Sequence, residues 1–268
     1  MQIIKLLAYA KINPYLHILG KREDGYHELD LEFQSVSLAD EITISEADEL
    51  ELVCTPSPTD RIEDNIAYKA AAALQKKAGV SNGASIEIKK SIPAGAGLGG
   101  GSADAAGVLV GLNRLWGLRL TFEELAGVGN ELGSDIAFCL LGGRAKGSGR
   151  GEILTKLPDL PRQWLVLVKP GFSVSTAWAY KSFDLAKCQA ELANHLESVV
   201  LKEYPEINKI KEQLLNLGAE KSLMSGSGST VFGIMPDKET ADAVLLNMPD
   251  SYWKTVCHTV NEGIADRE

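Results

Sequence analysis

The densest cluster of chemically suggestive residues is a glycine-rich segment, Pro93–Ala106, in which five of the seven positions from 95 to 101 are glycine. Ordering glycine costs more backbone entropy than ordering any other residue. Such a cluster therefore indicates that a ligand approaches the main chain or that φ must be positive. The segment lies between a predicted strand, Ala84–Lys90, and a predicted helix, Ala103–Trp116. Because free N–H groups and the dipole at a helix N-terminus favour a phosphate, the sequence predicts a phosphate site, with a tight structural turn as the alternative.

Two other phosphate motifs compete for the same segment. Gly95, Gly97 and Gly100 satisfy G-x-G-x-x-G, but a dinucleotide fold also needs a second strand that ends in an acid about 20 residues further on. That region holds Thr121 and Glu124, which have the spacing of a helix capping box. A P-loop is excluded because no Gly-Lys-Ser/Thr closes the segment.

The bulk composition limits the partners. The 268 residues carry 27 basic and 36 acidic side chains, a net charge of −9, which disfavours general attraction to nucleic acid or to an anionic membrane. The 45% hydrophobic content is sufficient for a core, and no run approaches the ~20 apolar residues that span a bilayer. Four scattered cysteines without a C-x-x-C pair predict a reduced, cytoplasmic protein.

The elements that must position the segment begin with β-like runs near the N-terminus. Alternating apolar residues bounded by turn formers predict a mostly antiparallel sheet of four short strands: Ile3–Ala10, Pro14–Leu19, Leu29–Ser37 and Glu41–Ser45. A helix capped by Asp64 or Asn65 is predicted up to Gly79, because its alanines and leucines favour the helical state. Another is predicted over Phe122–Leu132.

A stretch rich in proline and polar residues, Leu154–Arg162, is the candidate boundary between two lobes, residues 1–158 and residues 159–268. Beyond it, strands and helices follow one another in an order typical of a small α+β sandwich. The predicted elements are Trp164–Lys169, Ala177–Phe183, Ala186–Ala193, Glu206–Leu217, Ser222–Met224, Thr230–Ile234, Lys238–Leu246 and Trp253–Val260.

Three segments resemble the motifs of the GHMP kinases, the family of galactokinase, homoserine kinase, mevalonate kinase and phosphomevalonate kinase. Pro93–Ala103 matches the phosphate-binding pattern P-x-x-x-G-L-G-G-G-S-S/A. Ala10–Leu29 is similar to the first motif of one branch of the family, and Ser222–Phe232 is similar to the third motif. The three motifs stand in the family's order and span most of the chain.

The resemblance implies an α+β, two-lobed GHMP kinase fold, with an N-terminal lobe like domain 2 of ribosomal protein S5 and a ferredoxin-like C-terminal lobe. It implies ATP-dependent phosphorylation of the 2-hydroxyl of a small molecule, 4-diphosphocytidyl-2-C-methyl-D-erythritol, in the non-mevalonate (MEP) route to isoprenoids. Mg²⁺ is expected to arrive with ATP rather than to bind the protein alone. The alternatives are a GHMP kinase with a mevalonate-like, homoserine or sugar acceptor, and a nucleotide-binding protein that has lost catalysis.

By resemblance, the glycine-rich segment supplies the contacts to ATP. The expected contacts are Pro93, Ala94, Gly95, Ala96, Gly97, Leu98, Gly99, Gly100, Gly101, Ser102 and Ala103. Asn65 is expected to contact adenine, with a plain helix cap as the equal alternative.

Two charged residues match the family's catalytic positions. Asp135 is expected beside the acceptor hydroxyl as the base, and Lys11 is expected to orient Asp135 and to stabilise developing negative charge. A structural ion pair is the alternative. Ala137 stands where family members commonly have proline, which leaves Asp135 itself intact. Asn13 is the expected polar substrate contact, although Asn before Pro14 also forms turns.

The expected acceptor contacts are aromatic. Tyr26 and His27 follow a turn, where a ring face is able to stack on cytosine and an imidazole to bind its polar edge. The alternative is a tyrosine covering apolar surface and a histidine in water. Tyr180 supplies a second stacking face by family position, although aromatic residues at helical spacing more often belong to the core. Arg144 and Lys146 are treated as solvated loop charges outside the catalytic set.

Overall fold

The computed structural model describes residues 2–267 and contains a seven-stranded and a four-stranded sheet. The strands of the first sheet are β1 Ile3–Lys21, β2 His27–Ala47, β3 Leu50–Thr55, β4 Gly83–Lys89, β5 Arg144–Gly149, β6 Ile153–Lys156 and, after the whole second sheet, β11 Ile264–Asp266. Its strand order is β11-β1-β2-β4-β3, with β5 beside β2 and β6 beside β5. The helices of this lobe are α1 Ile66–Ala78, α2 Gly100–Leu115, α3 Phe122–Asn130 and α4 Ile136–Leu141.

The first two strands form one long antiparallel hairpin, which corrects the prediction of four short strands. The chain stays extended through Pro14 because the register with β2 shifts between Ile12 and Tyr15. A bulge of this kind accommodates a proline that regular pairing would exclude. The two halves of the hairpin serve different cores: Ile4 and Leu6 pack in the core with α1 and α2, whereas the tip half packs against the second sheet.

The second sheet is antiparallel and has the strand order β10-β7-β9-β8. Its elements are β7 Trp164–Lys169, α5 Thr176–Ser182, α6 Glu197–Glu203, α7 Pro205–Asn216, β8 Lys221–Met224, β9 Val231–Met235, α8 Lys238–Asn247 and β10 Trp253–His258. The predicted ferredoxin-like arrangement is thus observed, because β-α-β-β-α-β in this order defines it. The helix predicted over Ala186–Ala193 is wrong: only Leu185–Lys187 forms a 3₁₀ turn. The end of this segment pairs with β1 instead of forming a helix, because the Leu16 amide donates to the Ala193 carbonyl oxygen at 2.8 Å.

The sequence patterns miss strands β3, β5, β6 and β11. β5 was predicted as a charged loop, because glycine and charge are typical of loops. Here Gly147 is needed for packing, since a Cβ on it would lie 2.8 Å from Cε2 of Phe33. Residues 157–163 contain no helix or strand, and the division after residue 158 stays a prediction. Within residues 2–267, every helix is too short or too polar to cross a bilayer.

Candidate active site

A cavity of about 1110 Å³ is lined by residues of both lobes. Apart from Ala103, every residue predicted for the site lines it: Lys11, Asn13, Tyr26, His27, Asn65, Pro93, Ala94, Gly95, Ala96, Gly97, Leu98, Gly99, Gly100, Gly101, Ser102, Asp135 and Tyr180. Ala103 is fully buried in the core of the first lobe, and its amide donates to the Gly99 carbonyl oxygen at 2.8 Å. The structure therefore places Ala103 behind the cavity wall.

The glycine-rich segment forms the wall at one end of the cavity. Gly95, Gly97 and Gly99 have φ of 61°, 74° and 70°, in the left-handed region that favours glycine. A Cβ on Gly97 would lie 2.2 Å from the Ser225 carbonyl oxygen, so the main chains of the two lobes touch here. α2 begins directly after Gly99, and the first N–H groups of a helix lack partners within it. The wall therefore presents main-chain donors suited to phosphate oxygens.

Lys11 and Asp135 meet in the middle of the cavity. The Lys11 Nζ lies 3.5 Å from Oδ2 of Asp135, and it donates to Oδ1 of Asn13 at 2.8 Å. Asn13 is fixed in turn, because its Nδ2 donates to the Glu32 carbonyl oxygen at 3.1 Å. The Lys11 side chain is 6% exposed, whereas that of Asp135 is 34% exposed and makes no capping bond to α4. The lysine is thus held rigidly, and the carboxylate remains accessible from the cavity.

Close packing by glycine determines the path of the Lys11 side chain. A Cβ on Gly99 would lie 2.9 Å from Cγ of Lys11, and a Cβ on Gly226 would lie 3.3 Å from its Nζ. The ammonium group lies 5.9 Å from the centre of the Phe33 ring. The side chain therefore crosses between two glycine surfaces, one from each lobe, before it reaches Asp135.

Aromatic side chains line the other end of the cavity. His27 stacks on Tyr180, with ring centres 5.5 Å apart and planes inclined by 30°. Burial, with a smaller contribution from Lys21, lowers the pKa of His27 below its usual 6.5, so the ring is neutral at pH 7. Burial raises the pKa of the Tyr180 hydroxyl well above its usual value. Tyr26 is 55% exposed, which leaves ring surface accessible to a ligand.

The structure supports the capping role of Asn65. Its Oδ1 accepts from the Ala67 amide at 2.9 Å, which caps α1. Its Nδ2 is buried without a partner and the residue lines the cavity, so a contact to adenine stays a prediction.

Sequence reasoning missed Arg150, whose guanidinium group lies 4.8 Å from the centre of the Tyr26 ring and lines the cavity. The local signal is limited to the position of Arg150 between Gly149 and Gly151 in a turn, and the Tyr26 ring that it contacts belongs to a different hairpin. Arg144 and Lys146 are paired across β2 and β5 instead: the Arg144 Nε lies 2.5 Å from Oε1 of Glu32, and the Lys146 Nζ lies 3.0 Å from Oδ1 of Asp30.

Comparison with protein families gives two matches along the chain. The GHMP kinases N terminal domain matches residues 65–143, and the GHMP kinases C terminal domain matches residues 181–254. A 4-diphosphocytidyl-2-C-methyl-D-erythritol kinase of Moorella thermoacetica is 44% identical over 96% of this chain and 98% of the relative. The enzyme of the same name from Bacillus pumilus is 44% identical over 85% of this chain and 86% of the relative.

Two solved structures resemble this chain, one in both sequence and fold and the other in fold. A crystal structure of 4-(cytidine 5'-diphospho)-2C-methyl-D-erythritol kinase superposes with a TM-score of 0.85 at 32% identity, covering 96% of this chain and 99% of the other. Homoserine kinase from Cytophaga hutchinsonii superposes with a TM-score of 0.72 at 17% identity, covering 99% and 97%. The second similarity concerns the fold alone.

Proposed function

The chain belongs to the GHMP kinase family, and from this premise we propose that it transfers the γ-phosphoryl group of ATP to the 2-hydroxyl of 4-diphosphocytidyl-2-C-methyl-D-erythritol. The predicted family and the α+β, two-lobed fold are confirmed. Use of ATP follows from membership of this kinase family. The observation that carries the proposal is that Lys11 and Asp135 lie 3.5 Å apart in one cavity, between a glycine-rich phosphate wall and an aromatic end.

The proposed chemistry centres on Asp135. Phosphoryl transfer to an alcohol depends mainly on positioning and on stabilising charge, with a residue that handles the hydroxyl proton. Asp135 accepts that proton, because its carboxylate is accessible and is not used as a helix cap. Lys11 holds this carboxylate in place and stabilises the negative charge that develops between the two substrates.

The phosphate end binds and orients the donor. Main-chain N–H groups at the start of α2 receive the phosphate oxygens, with Ser102 in the first turn beside them. Among residues 2–267, no three acidic, histidine or cysteine side chains cluster as a metal site. We infer that Mg²⁺ arrives with ATP, since it commonly takes one or two protein oxygens besides phosphates and water. Asp135 and Ser102 line the cavity and carry side-chain oxygens of the kind that bind Mg²⁺, and Mg²⁺ held there would neutralise phosphate charge.

The aromatic end selects the acceptor. Tyr26 offers an exposed ring for stacking on cytosine, and the neutral His27 offers one nitrogen as an acceptor and the other as a donor. Tyr180 stacks on the His27 ring, with ring centres 5.5 Å apart, and so fixes the orientation of the imidazole. Mevalonate, homoserine and sugars have no aromatic base to use these surfaces, which favours the cytidyl acceptor over the alternatives.

The test is phosphate transfer from ATP, measured with the purified chain and a panel of alcohols. The panel contains 4-diphosphocytidyl-2-C-methyl-D-erythritol, mevalonate, homoserine and galactose. We expect the highest kcat/KM with the cytidyl substrate by several orders of magnitude. Preference for another alcohol would reassign the acceptor, and ATP binding without transfer to any of the four would overturn the kinase proposal.

We also propose that the protein works in the reducing cytoplasm, because its cysteines, Cys54, Cys139, Cys188 and Cys257, are all unpaired. The expectation that it has no nucleic-acid or membrane partner rests on the net charge of −9 and stays a prediction.

A further inference from the structure

Three charged side chains are buried beneath the glycine-rich segment, where β4 ends and α2 begins. The Lys90 Nζ lies 2.5 Å from Oδ2 of Asp40 and 2.5 Å from Oδ2 of Asp104. The side chains of Lys90, Asp40 and Asp104 are 7%, 0% and 2% exposed. Removing such charges from water is costly, and apolar residues of similar volume are often at least as stable. Stability alone therefore does not account for the three charges, and none of them takes part in the phosphoryl transfer proposed for Lys11 and Asp135.

Asp40 holds the entry to the glycine-rich segment. Its Oδ1 accepts from the Ser91 amide at 2.5 Å and from the Ile92 amide at 2.8 Å. These are the two residues that lead from β4 into the segment. The carboxylate thus fixes the main chain on one side and the Lys90 ammonium on the other.

Lys90 connects the residues that precede the glycine-rich segment to the helix α2 that follows it. Asp104, its second partner, lies in the second turn of α2, just past the glycines. The entry also packs directly on the start of α2, because a Cβ on Gly100 would lie 2.8 Å from Cγ2 of Ile92. A shift of the entry would therefore move the start of α2, whose N–H groups form the phosphate wall.

The middle of the segment is held through its carbonyl oxygens. Those of Ala96, Gly97 and Leu98 accept from the Thr230 amide at 3.2 Å, from Oγ of Ser225 at 2.8 Å and from the Lys11 amide at 3.0 Å. These bonds leave the main-chain N–H groups of the segment free to face a ligand, but they do not fix its two ends. A stretch with this many glycines has high conformational freedom unless its ends are fixed. Pre-organised donors are what make a phosphate site effective, because they need no reorganisation when charge arrives.

We propose that Asp40, Lys90 and Asp104 are positioning residues of the nucleotide site, which hold the two ends of the glycine-rich segment so that its N–H groups converge on the phosphates. The proposal rests on the proposed function only in taking the ligand to be a nucleoside triphosphate. Burial raises the pKa of Asp104 above its usual value, and the Lys90 ammonium opposes this shift. Asp104→Asn keeps the shape of the side chain and an acceptor oxygen for Lys90, whereas Asp104→Leu removes the acceptor.

Asp40 separates positioning from direct contact. Lys90 and Asp104 line the cavity, so either is placed to touch a nucleotide itself, but Asp40 is wholly buried and lies outside the lining. An effect of Asp40→Asn on nucleotide binding has to pass through the main chain or through Lys90. Asp40→Asn is therefore the decisive variant.

The experiment measures the Kd of a non-hydrolysable ATP analogue by calorimetry, together with the KM of each substrate and the thermal unfolding temperature. In Asp40→Asn and Lys90→Met, we expect the nucleotide Kd to rise about tenfold, equivalent to about 1.4 kcal/mol, while the KM of the acceptor stays near that of the wild type. Leu214→Ala, a buried site in the second lobe, is the matched control for lost stability: its Tm falls and its nucleotide Kd does not change.

Each other outcome counts against a defined claim. If Tm falls in the cluster variants while the Kd stays at the wild-type value, the cluster is merely structural. If only Lys90→Met weakens binding, Lys90 contacts the nucleotide directly and the positioning role is overturned. If Asp40→Asn does not fold, Asp104→Asn and Asp104→Leu replace it, and equal Kd values in the two overturn the proposal. Wild-type nucleotide binding without phosphate transfer would instead overturn the proposed function and leave this test intact.

Discussion

At its phosphate end the cavity is made of main chain, and at its acceptor end it is made of side chains. The phosphate wall is glycine-rich, is held from behind by buried groups and touches the opposite lobe at Gly97. The acceptor end consists of aromatic rings on the hairpin tip and on α5, and its outermost ring, Tyr26, is 55% exposed. Lys11 and Asp135 lie between the two.

The difference separates what a family shares from what a member changes. Main-chain N–H groups bind any phosphate and tolerate many side-chain substitutions, provided that the backbone path is kept. Aromatic and imidazole groups bind one type of acceptor, and each is replaceable by a single mutation.

Substitution of Asp135, which lies between the two ends of the cavity, should cause the largest loss of activity. Asp135→Asn removes the proposed base but keeps its size, so kcat should fall about 10²–10⁴-fold while the nucleotide Kd stays nearly unchanged. Steady-state kinetics and calorimetry measure the two quantities. Glu131→Gln, an exposed acid just before it in the chain, is the matched control and should behave like the wild type. Full turnover by Asp135→Asn would remove it from the base role.

Substitution of Gly99 is the most direct way to disrupt the phosphate end of the cavity. In Gly99→Val, the side chain would occupy a backbone of φ 70° and meet Cγ of Lys11 at 2.9 Å. Strain of about 1–3 kcal/mol predicts that the KM of ATP rises about 10–100-fold, and displacement of Lys11 should lower kcat as well. Gly117→Val places the same strain at φ 61° with open space around it. If both variants behave alike, the effect comes from general instability rather than from the wall.

The acceptor end is tested by Tyr26→Ala. Loss of a stacked base costs about 1–3 kcal/mol, so the KM of the cytidyl substrate should rise about tenfold or more while the KM of ATP stays constant. Tyr26→Phe keeps the ring and should retain wild-type values. Equal changes in both KM values for Tyr26→Ala would contradict stacking.

The smallest expected effect is a pH dependence of the acceptor KM. His27 has a lowered pKa, so it gains its proton only as the pH falls below its usual 6.5. In the folded protein the neutral ring persists to lower pH than in the unfolded chain, and this burial therefore destabilises the fold as the pH falls. We expect the acceptor KM to rise a few-fold on acidification while the KM of ATP stays flat.

Lys21→Met sharpens this prediction. It removes the charge that helps to lower the pKa of His27, so on acidification the KM of the acceptor should begin to rise at a higher pH than in the wild type. An identical profile in His27→Gln would show that another group is responsible.

The sequence predicted the cavity wall well because glycine spacing and helix starts are local signals. It predicted the capping box at Thr121 and a cap at Asp64 or Asn65 for the same reason, and the structure has the cap at Asn65. It did not predict the cluster beneath the segment, since Lys90 and Asp40 are 50 positions apart and only the fold brings them together. Arg150 was missed because its partner, the Tyr26 ring, comes from a distant hairpin.

The last strand, β11, closes the edge of the first sheet by pairing with β1. During synthesis, all of the second lobe leaves the ribosome before this strand does. The outer edge of β1 therefore stays unpaired until residues 264–266 have been synthesised, with its main-chain groups open to pairing by other chains. Deletion of Ile264–Asp266 would make that transient exposure permanent, although every residue of the cavity would still be present.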